Sequence, residues 1–270
     1  MHRRSLIKSA LYTALASATA ASGVPAMAVT PARKRSFVLI HGAWHGGWCW
    51  RDVAALLRAQ GHTVYTPSLT GLADRSHLLS NSITLQTHID DIVNLFAWED
   101  IEDAVLVAHS YGGWPVSAAL AKIGNKVASV VFVDAFVPEN GQRVIDLNSP
   151  QFQQALKDAI AKGEAGRPAP KAEVFGIKDT ARAVWVQAKM TPQPSGVAIQ
   201  PIVLSGARDR VARKTYVRAT GFAMPTFDSY FAKAQKDPSW TAIGLAAEEC
   251  GHDVMIDIPQ QLSEILLSAA

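Results

Sequence analysis

Short apolar, β-branched runs recur along the first half of the chain, and segments with helical spacing separate them. SFVLIHG (36–42), HTVYTPSL (62–69), DAVLVAHS (103–110) and VASVVFVDAF (127–136) read as strands. Between them, WRDVAALLRAQG (50–61), LQTHIDDIVNLFAW (85–98) and WPVSAALAKIG (114–124) read as helices. Strands joined through helices run parallel, and strands that are apolar almost throughout must be covered on both faces. The rhythm therefore predicts an α/β fold, a mostly parallel central sheet with helices on both sides.

The rhythm breaks after Val137. Residues 138–205 hold Pro- and Gly-rich connections and two helical pieces, PQFQQALKDAIAKG and DTARAVWVQAKM, with no clear strand between them. It returns with the strand RKTYVRATGF, the helix FDSYFAKAQK, the strand WTAIGLAA and the helix PQQLSEILLSAA. The expected organisation is a core in two parts, 29–137 and 206–270, with 138–205 as a helical cap inserted after the strand that ends at Asp134.

Ahead of the core, MHRRSLIKSA is followed by an Ala-rich apolar stretch and Pro25-Ala26-Met27-Ala28, a small-residue cleavage site. This is the pattern of a twin-arginine-like export signal over residues 1–28, and it implies a periplasmic or secreted protein. The chain has 26 Lys+Arg against 23 Asp+Glu, and the signal holds three of those cations and no acid. What remains is formally neutral, so charge gives no reason to expect a nucleic-acid partner. Beyond the signal no apolar run approaches the ~20 residues that cross a bilayer, so no stable membrane insertion is expected. The two cysteines, Cys49 and Cys250, exclude a disulfide framework and a cysteine metal site, although one bridge between them is chemically permitted outside the cytoplasm.

Three segments carry chemistry. In VLVAHSYGGWP, Ser110 stands between a strand and a helix, with Ala108 in the first small position of a G-x-S-x-G nucleophile elbow. Such a turn lifts the hydroxyl out of the sheet and aims the amide of Tyr111 at a substrate oxygen. At the end of the first strand, HGAWHGGWCW (41–50) can supply a second oxyanion-hole amide, from Ala43. In ECGHDVM, His252 directly follows the last strand and is placed to act as general base. His41 reads as a structural residue of the oxyanion loop, and His109 as pointing elsewhere on the serine turn. His45, His62, His77 and His88 read as surface or satisfied positions.

Taken together, HGAWHGGWCW, AHSYGG and GHD resemble the α/β-hydrolases, and among them the group of plant methylesterases, hydroxynitrile lyases and bacterial esterases, some pyrethroid-hydrolase-like. The resemblance implies an α/β-hydrolase fold from about residue 36 to 270, no metal and no cofactor. Lyases of that group resemble one another in a Thr after the first-strand His and a Lys after the catalytic His. Here Gly42 and Asp253 stand at those places, and without the lysine the electrostatic reason for cyanide departure is gone.

The triad acid of the superfamily mostly follows the penultimate strand, and on that pattern Gly221 and Phe222 occupy its place. Asp134 is the preferred acid. It ends a very apolar strand at the carboxyl edge, where ligands bind in open α/β sheets, and a carboxylate there is costly unless partnered. Asp209, in LSGARDRVARK, is the alternative, and Asp228, inside a helix, a poorer one. Trp44, Trp114, Phe136, Val184 and Trp185 are candidates to line an apolar or aromatic pocket. The function expected is serine carboxylesterase action on a small apolar or aromatic ester. Hydroxynitrile-lyase-type chemistry, cofactor-free lyase or oxygenase chemistry and a catalytically silent binding protein are the alternatives.

Overall fold

The computed structural model describes residues 34–270. The expected export signal lies outside the described residues. In chain order, β1 (Ser36–Ile40), α1 (Arg51–Ala59), β2 (Thr63–Tyr65), α2 (Leu85–Trp98), β3 (Ala104–His109), α3 (Gly113–Ile123) and β4 (Val127–Val133) form the first half. An excursion follows with α4 (Pro150–Ala161), β5 (Gly166–Arg167), α5 (Thr180–Lys189), β6 (Gln193–Pro194) and α6 (Ala207–Arg210). The chain then returns through β7 (Arg213–Ala219), α7 (Pro225–Lys236), β8 (Trp240–Leu245), α8 (Val254–Asp257) and α9 (Pro259–Ser268).

Among the described residues the main sheet has six strands in the order β2-β1-β3-β4-β7-β8. Every neighbouring pair is parallel. Alternation along the strands divides the core. Phe37, Leu39, Val105, Val107, Val131 and Val133 face α1 and α9, where Val53, Leu57, Leu262 and Leu266 meet them. Their neighbours Val38, Ile40, Leu106, Val130 and Phe132 face α2 and α3, packed with Ile92, Phe96, Val116 and Leu120. The strands are apolar throughout because both sides are covered. From β1 the chain turns outward to β2, and from β3 it turns the other way to β4. The loops after β1 and β3 therefore flank the crevice where an open α/β sheet binds ligands.

Two sequence readings change. HTVYTPSL yields only the three residues of β2, because Pro67 lacks the amide to continue a ladder. Within 138–205, where no strand was expected, β5 and β6 form a two-residue antiparallel ladder, Gly166 opposite Pro194 and Arg167 opposite Gln193. Nearby prolines hold it to that length. The helices there start conventionally: Ser149 accepts from the Phe152 amide ahead of Pro150 in α4, and Asp179 accepts from the Arg182 amide in α5. Cys49 and Cys250 are both buried free thiols rather than a bridge, and burial pushes the Cys250 thiol up to about 12. No helix among the described residues is long and apolar enough to cross a membrane.

Candidate active site

Ser110 directly follows β3 with φ of +51°, a left-handed conformation that costs a non-glycine residue about 1–3 kcal/mol unless its surroundings enforce it. The surroundings are tight. A Cβ on Gly113 would lie 1.9 Å from the Phe136 carbonyl oxygen, and one on Gly112 would lie 2.8 Å from that of His41. The Phe136 amide donates to the Ser110 carbonyl at 3.1 Å, and Ala108 is fully buried in the first small position. The turn is thus clamped between the ends of β1 and β4.

The loop after β1 faces Ser110. His41 Nε2 accepts from the Leu69 amide at 3.0 Å. The proton is therefore on Nδ1, which donates to the Gly42 carbonyl at 2.8 Å. Burial holds His41 neutral, down to about 3, and it pins the loop as a structural residue would. None of the described loop hydrogen bonds uses the Ala43 amide. The Tyr111 amide lies in the first turn after Ser110, where backbone N–H groups have no intrahelical acceptor. Tyr111 is itself fixed by its hydroxyl, 2.9 Å from His88 Nδ1, while His88 Nε2 donates to the Thr70 carbonyl at 2.9 Å. His88 is therefore buried and satisfied.

Asp134 follows β4 with φ of +43° and is completely buried. Its Oδ2 accepts from His252 Nδ1 at 2.7 Å. Its Oδ1 accepts from Arg218 Nη1 at 2.8 Å and from the Ala219 amide at 3.1 Å. The pairing Val133 opposite Val217 brings Asp134 and Arg218 together. Arg218 also donates through Nε to Asp228 at 2.9 Å and through Nη2 to the Phe222 carbonyl at 2.7 Å. Asp228 thus holds Arg218 rather than His252. Asp209 lies exposed in α6 beside Arg208, and no described bond joins it to His252. Of the three acids weighed from sequence, Asp134 alone has a described hydrogen bond to His252.

Arg218 was missed, though an arginine inside the apolar strand KTYVRAT was a signal of the same kind as Asp134. The place expected to hold an acid carries a ring instead. Phe222 stacks on His252 at 4.3 Å between centroids, with Phe227 at 5.8 Å and Phe175 at 5.9 Å. The His252 amide donates to the Phe175 carbonyl at 2.7 Å, so the segment between β4 and β7 grips this loop directly.

Behind His252 lies a second buried polar group. Asp253 Oδ2 is 3.1 Å from His45 Nε2, and His45 Nδ1 is 2.8 Å from the Ala43 carbonyl. Burial opposes charge on both residues, but each is charged by the other: Asp253 is held down to about 2 and His45 is raised. His109 Nε2 donates to the His252 carbonyl at 3.1 Å, and burial, with His252 next to it, keeps His109 neutral. His109 therefore points behind the serine turn, as expected, while His45 is a buried ionic tie.

Ser110 and His252 open onto a cavity of about 290 Å³ that Ala43, Trp44, Tyr111 and Phe136 also line. Arg167, Phe175, Phe222, Met224 and Phe227 complete much of its wall. The other three pocket candidates lie elsewhere. Trp114 is core beneath Phe136, their rings 6.0 Å apart. Trp185 packs edge-on against Trp48 at 5.0 Å, and Val184 is exposed on α5. Helical spacing could not tell which face of α5 turns to the site. Among the described residues no group of three His, Cys, Asp or Glu is arranged to hold a metal ion.

A strand-edge serine at a left-handed turn and an acid-paired histidine share one cavity on this parallel sheet, an arrangement of the hydrolase kind. The model of the alpha/beta hydrolase family matches residues 37–265, and the chain belongs to that family. It is 39% identical over 242 residues to a carbendazim hydrolyzing esterase of Nocardioides sp. (strain SG-4G), covering 86% of this chain and 98% of that one. It is 32% identical over 155 residues to Methylesterase 2 of Arabidopsis thaliana, covering 57% and 56%. An extracellular alpha/beta-hydrolase from a Paenibacillus species, described as homologous to Tobacco Salicylic Acid Binding Protein 2, superposes with a TM-score of 0.73. That match has 23% identity and covers 87% of this chain and 99% of that one.

Proposed function

We propose that the chain is a serine carboxylesterase acting on small, apolar or aromatic esters through an acyl-enzyme. The observation that carries this reading is the 2.7 Å bond from His252 to a completely buried Asp134, with His252 and Ser110 on one cavity. The Asp134 bond fixes the proton on His252 Nδ1 and leaves Nε2 free to accept the proton of Ser110 as its oxygen attacks the ester carbonyl. The amides of Ala43 and Tyr111 receive the developing oxyanion, a contribution of about 3–4 kcal/mol for one well-placed donor. Collapse expels the alcohol, protonated by His252, and water then releases the acid by the same route.

The esterase names of the relatives support this reading, and the small aromatic-walled cavity suits a compact ester. Lyase chemistry is disfavoured. Asp253, where a cation would be wanted, is buried against His45, and a Cβ on Gly42 would meet the Cβ of Ser110 at 2.9 Å. Residues 1–28 fit an export signal, and N-terminal sequencing of the secreted protein would find the chain starting near Val29.

The decisive experiment pairs hydrolysis of a short-chain p-nitrophenyl ester with fluorophosphonate labelling of the wild type and Ser110→Ala. Hydrolysis and labelling both present in the wild type and both lost in the variant support the assignment. Wild-type protein that neither hydrolyses nor labels would mark a silent binding protein, and cyanide release from a cyanohydrin would mark a lyase.

A further inference from the structure

Among the described residues Arg167, beside the candidate nucleophile, is a cation without a counter-ion. It stands in β5, held by the ladder to Gln193, and lines the same cavity as Ser110 and His252. It also lines an adjoining cavity of about 520 Å³ together with Trp44 and Phe152. Two rings flank its guanidinium, Trp44 at 5.4 Å and Phe152 at 5.3 Å. Its Nε is shut away from solvent and has no hydrogen-bond partner among the described residues. None of the described side-chain hydrogen bonds or ion pairs involves this guanidinium. Arg167 as a whole is half-buried, whereas the fully buried charges near the site are answered: Arg218 by Asp134 and Asp228, and His45 by Asp253.

Flanking rings can satisfy the faces of a guanidinium but not its in-plane N–H groups. A buried donor with no acceptor costs about 1–3 kcal/mol, more when charged, so its retention beside a cavity points to a ligand that completes it. Burial has already pulled Arg167 down to about 10, the mark of a desolvated cation that no anion compensates. A planar pair of oxygens matches the in-plane edge of a guanidinium and pairs with it in two parallel bonds.

We propose that Arg167 is a carboxylate subsite, and that the preferred substrates are esters carrying a free carboxylate remote from the scissile bond. The inference rests on the esterase reading and narrows it. The carboxylate can belong to the acid part, as in a half-ester of a dicarboxylic acid, or to the alcohol part, as in an acyloxy acid. Either way the aromatic wall takes the connecting chain, and Arg167 sets how far the charge stands from Ser110.

The test uses two substrate series with the mature protein. One is the monomethyl esters of C4–C8 dicarboxylic acids, each against its dimethyl ester. The other is ω-acetoxy acids of matching length, each against its methyl ester. In one series, at one or two chain lengths, kcat/KM should favour the acid over its neutral partner by at least tenfold. Arg167→Met should collapse that ratio to one or below, and Arg167→Lys should retain part of it. Which series responds identifies the part that carries the carboxylate. A ratio at or below one in both series overturns the proposal, as does a preference that survives Arg167→Met. Calorimetric binding of the same acids to Ser110→Ala, with and without Arg167→Met, separates the two readings. Arg167-dependent binding with no hydrolysis by the parent protein keeps the subsite and sinks the esterase. Hydrolysis of neutral esters with no Arg167-dependent binding does the reverse.

Discussion

Asp134 holds His252 with one carboxylate oxygen and Arg218 with the other, at 2.7 and 2.8 Å. The same carboxylate thus orients the imidazole and neutralises a buried cation on the adjacent strand. Asp134→Asn should lower kcat/KM by about 10³–10⁴, because an amide can leave the imidazole proton on the wrong nitrogen. Arg218→Met should act mainly on stability, with a loss of roughly 3 kcal/mol from the stranded carboxylate. Steady-state kinetics and urea unfolding on both variants check this; near-normal turnover in Asp134→Asn would make Asp134 merely structural.

Gly42 packs directly against the serine turn. Its missing Cβ would stand 2.9 Å from both the Ser110 Cβ and His109 Nδ1. Gly42→Ala is expected to displace the serine or the oxyanion loop and to cut kcat at least tenfold, since sub-ångström misplacement of reacting groups is that costly. Unchanged kcat in a folded variant would show that the loop has room to yield.

The Asp253–His45 pair ties the His252 loop to the oxyanion loop. Asp253→Asn leaves His45 without its anion in a buried place and should cost about 3 kcal/mol. Thermal unfolding measures it, and a loss below roughly 0.5 kcal/mol would mean the pair is not charged.

Stability should fall in mild acid. Burial holds His41 down to about 3 and His88 down to about 4, while an unfolded histidine titrates near pH 6.5. Between those limits the unfolded chain binds protons that the folded chain does not, so unfolding becomes easier as pH drops. Each histidine contributes roughly 1 kcal/mol per pH unit. His45 has the opposite sign: although burial opposes it, Asp253 raises it, and its contribution fades as pH rises through that raised value. Urea midpoints at pH 6.5 and 4.5 should differ clearly, and equal midpoints would contradict the burial of these imidazoles.

Strands, helices and the placing of Ser110, His252 and Asp134 near one another were legible because each rests on local pattern: an apolar run, a small-residue turn, a charge where none belongs. The position of Arg167 beside the cavity was not, because it depends on the β5–β6 ladder, two residues long and without periodicity. Phe222 and Phe227 were hidden differently. Phe222 reads as the end of a strand, where an acid is expected, and Phe227 as the start of a helix, and only the return of the chain past β7 lays them on His252. Trp185 shows the converse, an aromatic placed in the pocket by composition and turned to Trp48 by packing.

The segment between β4 and β7 is bolted to both halves of the site. Gln193 accepts the Trp44 amide at 2.9 Å, the Thr191 amide donates to the Trp44 carbonyl at 3.0 Å, and Phe175 accepts the His252 amide at 2.7 Å. It cannot swing away as a lid without dragging the loop after β1 and the His252 loop with it. Entry and exit are therefore expected to need side-chain rotations rather than a microsecond domain opening. Turnover should accordingly be nearly insensitive to solvent viscosity.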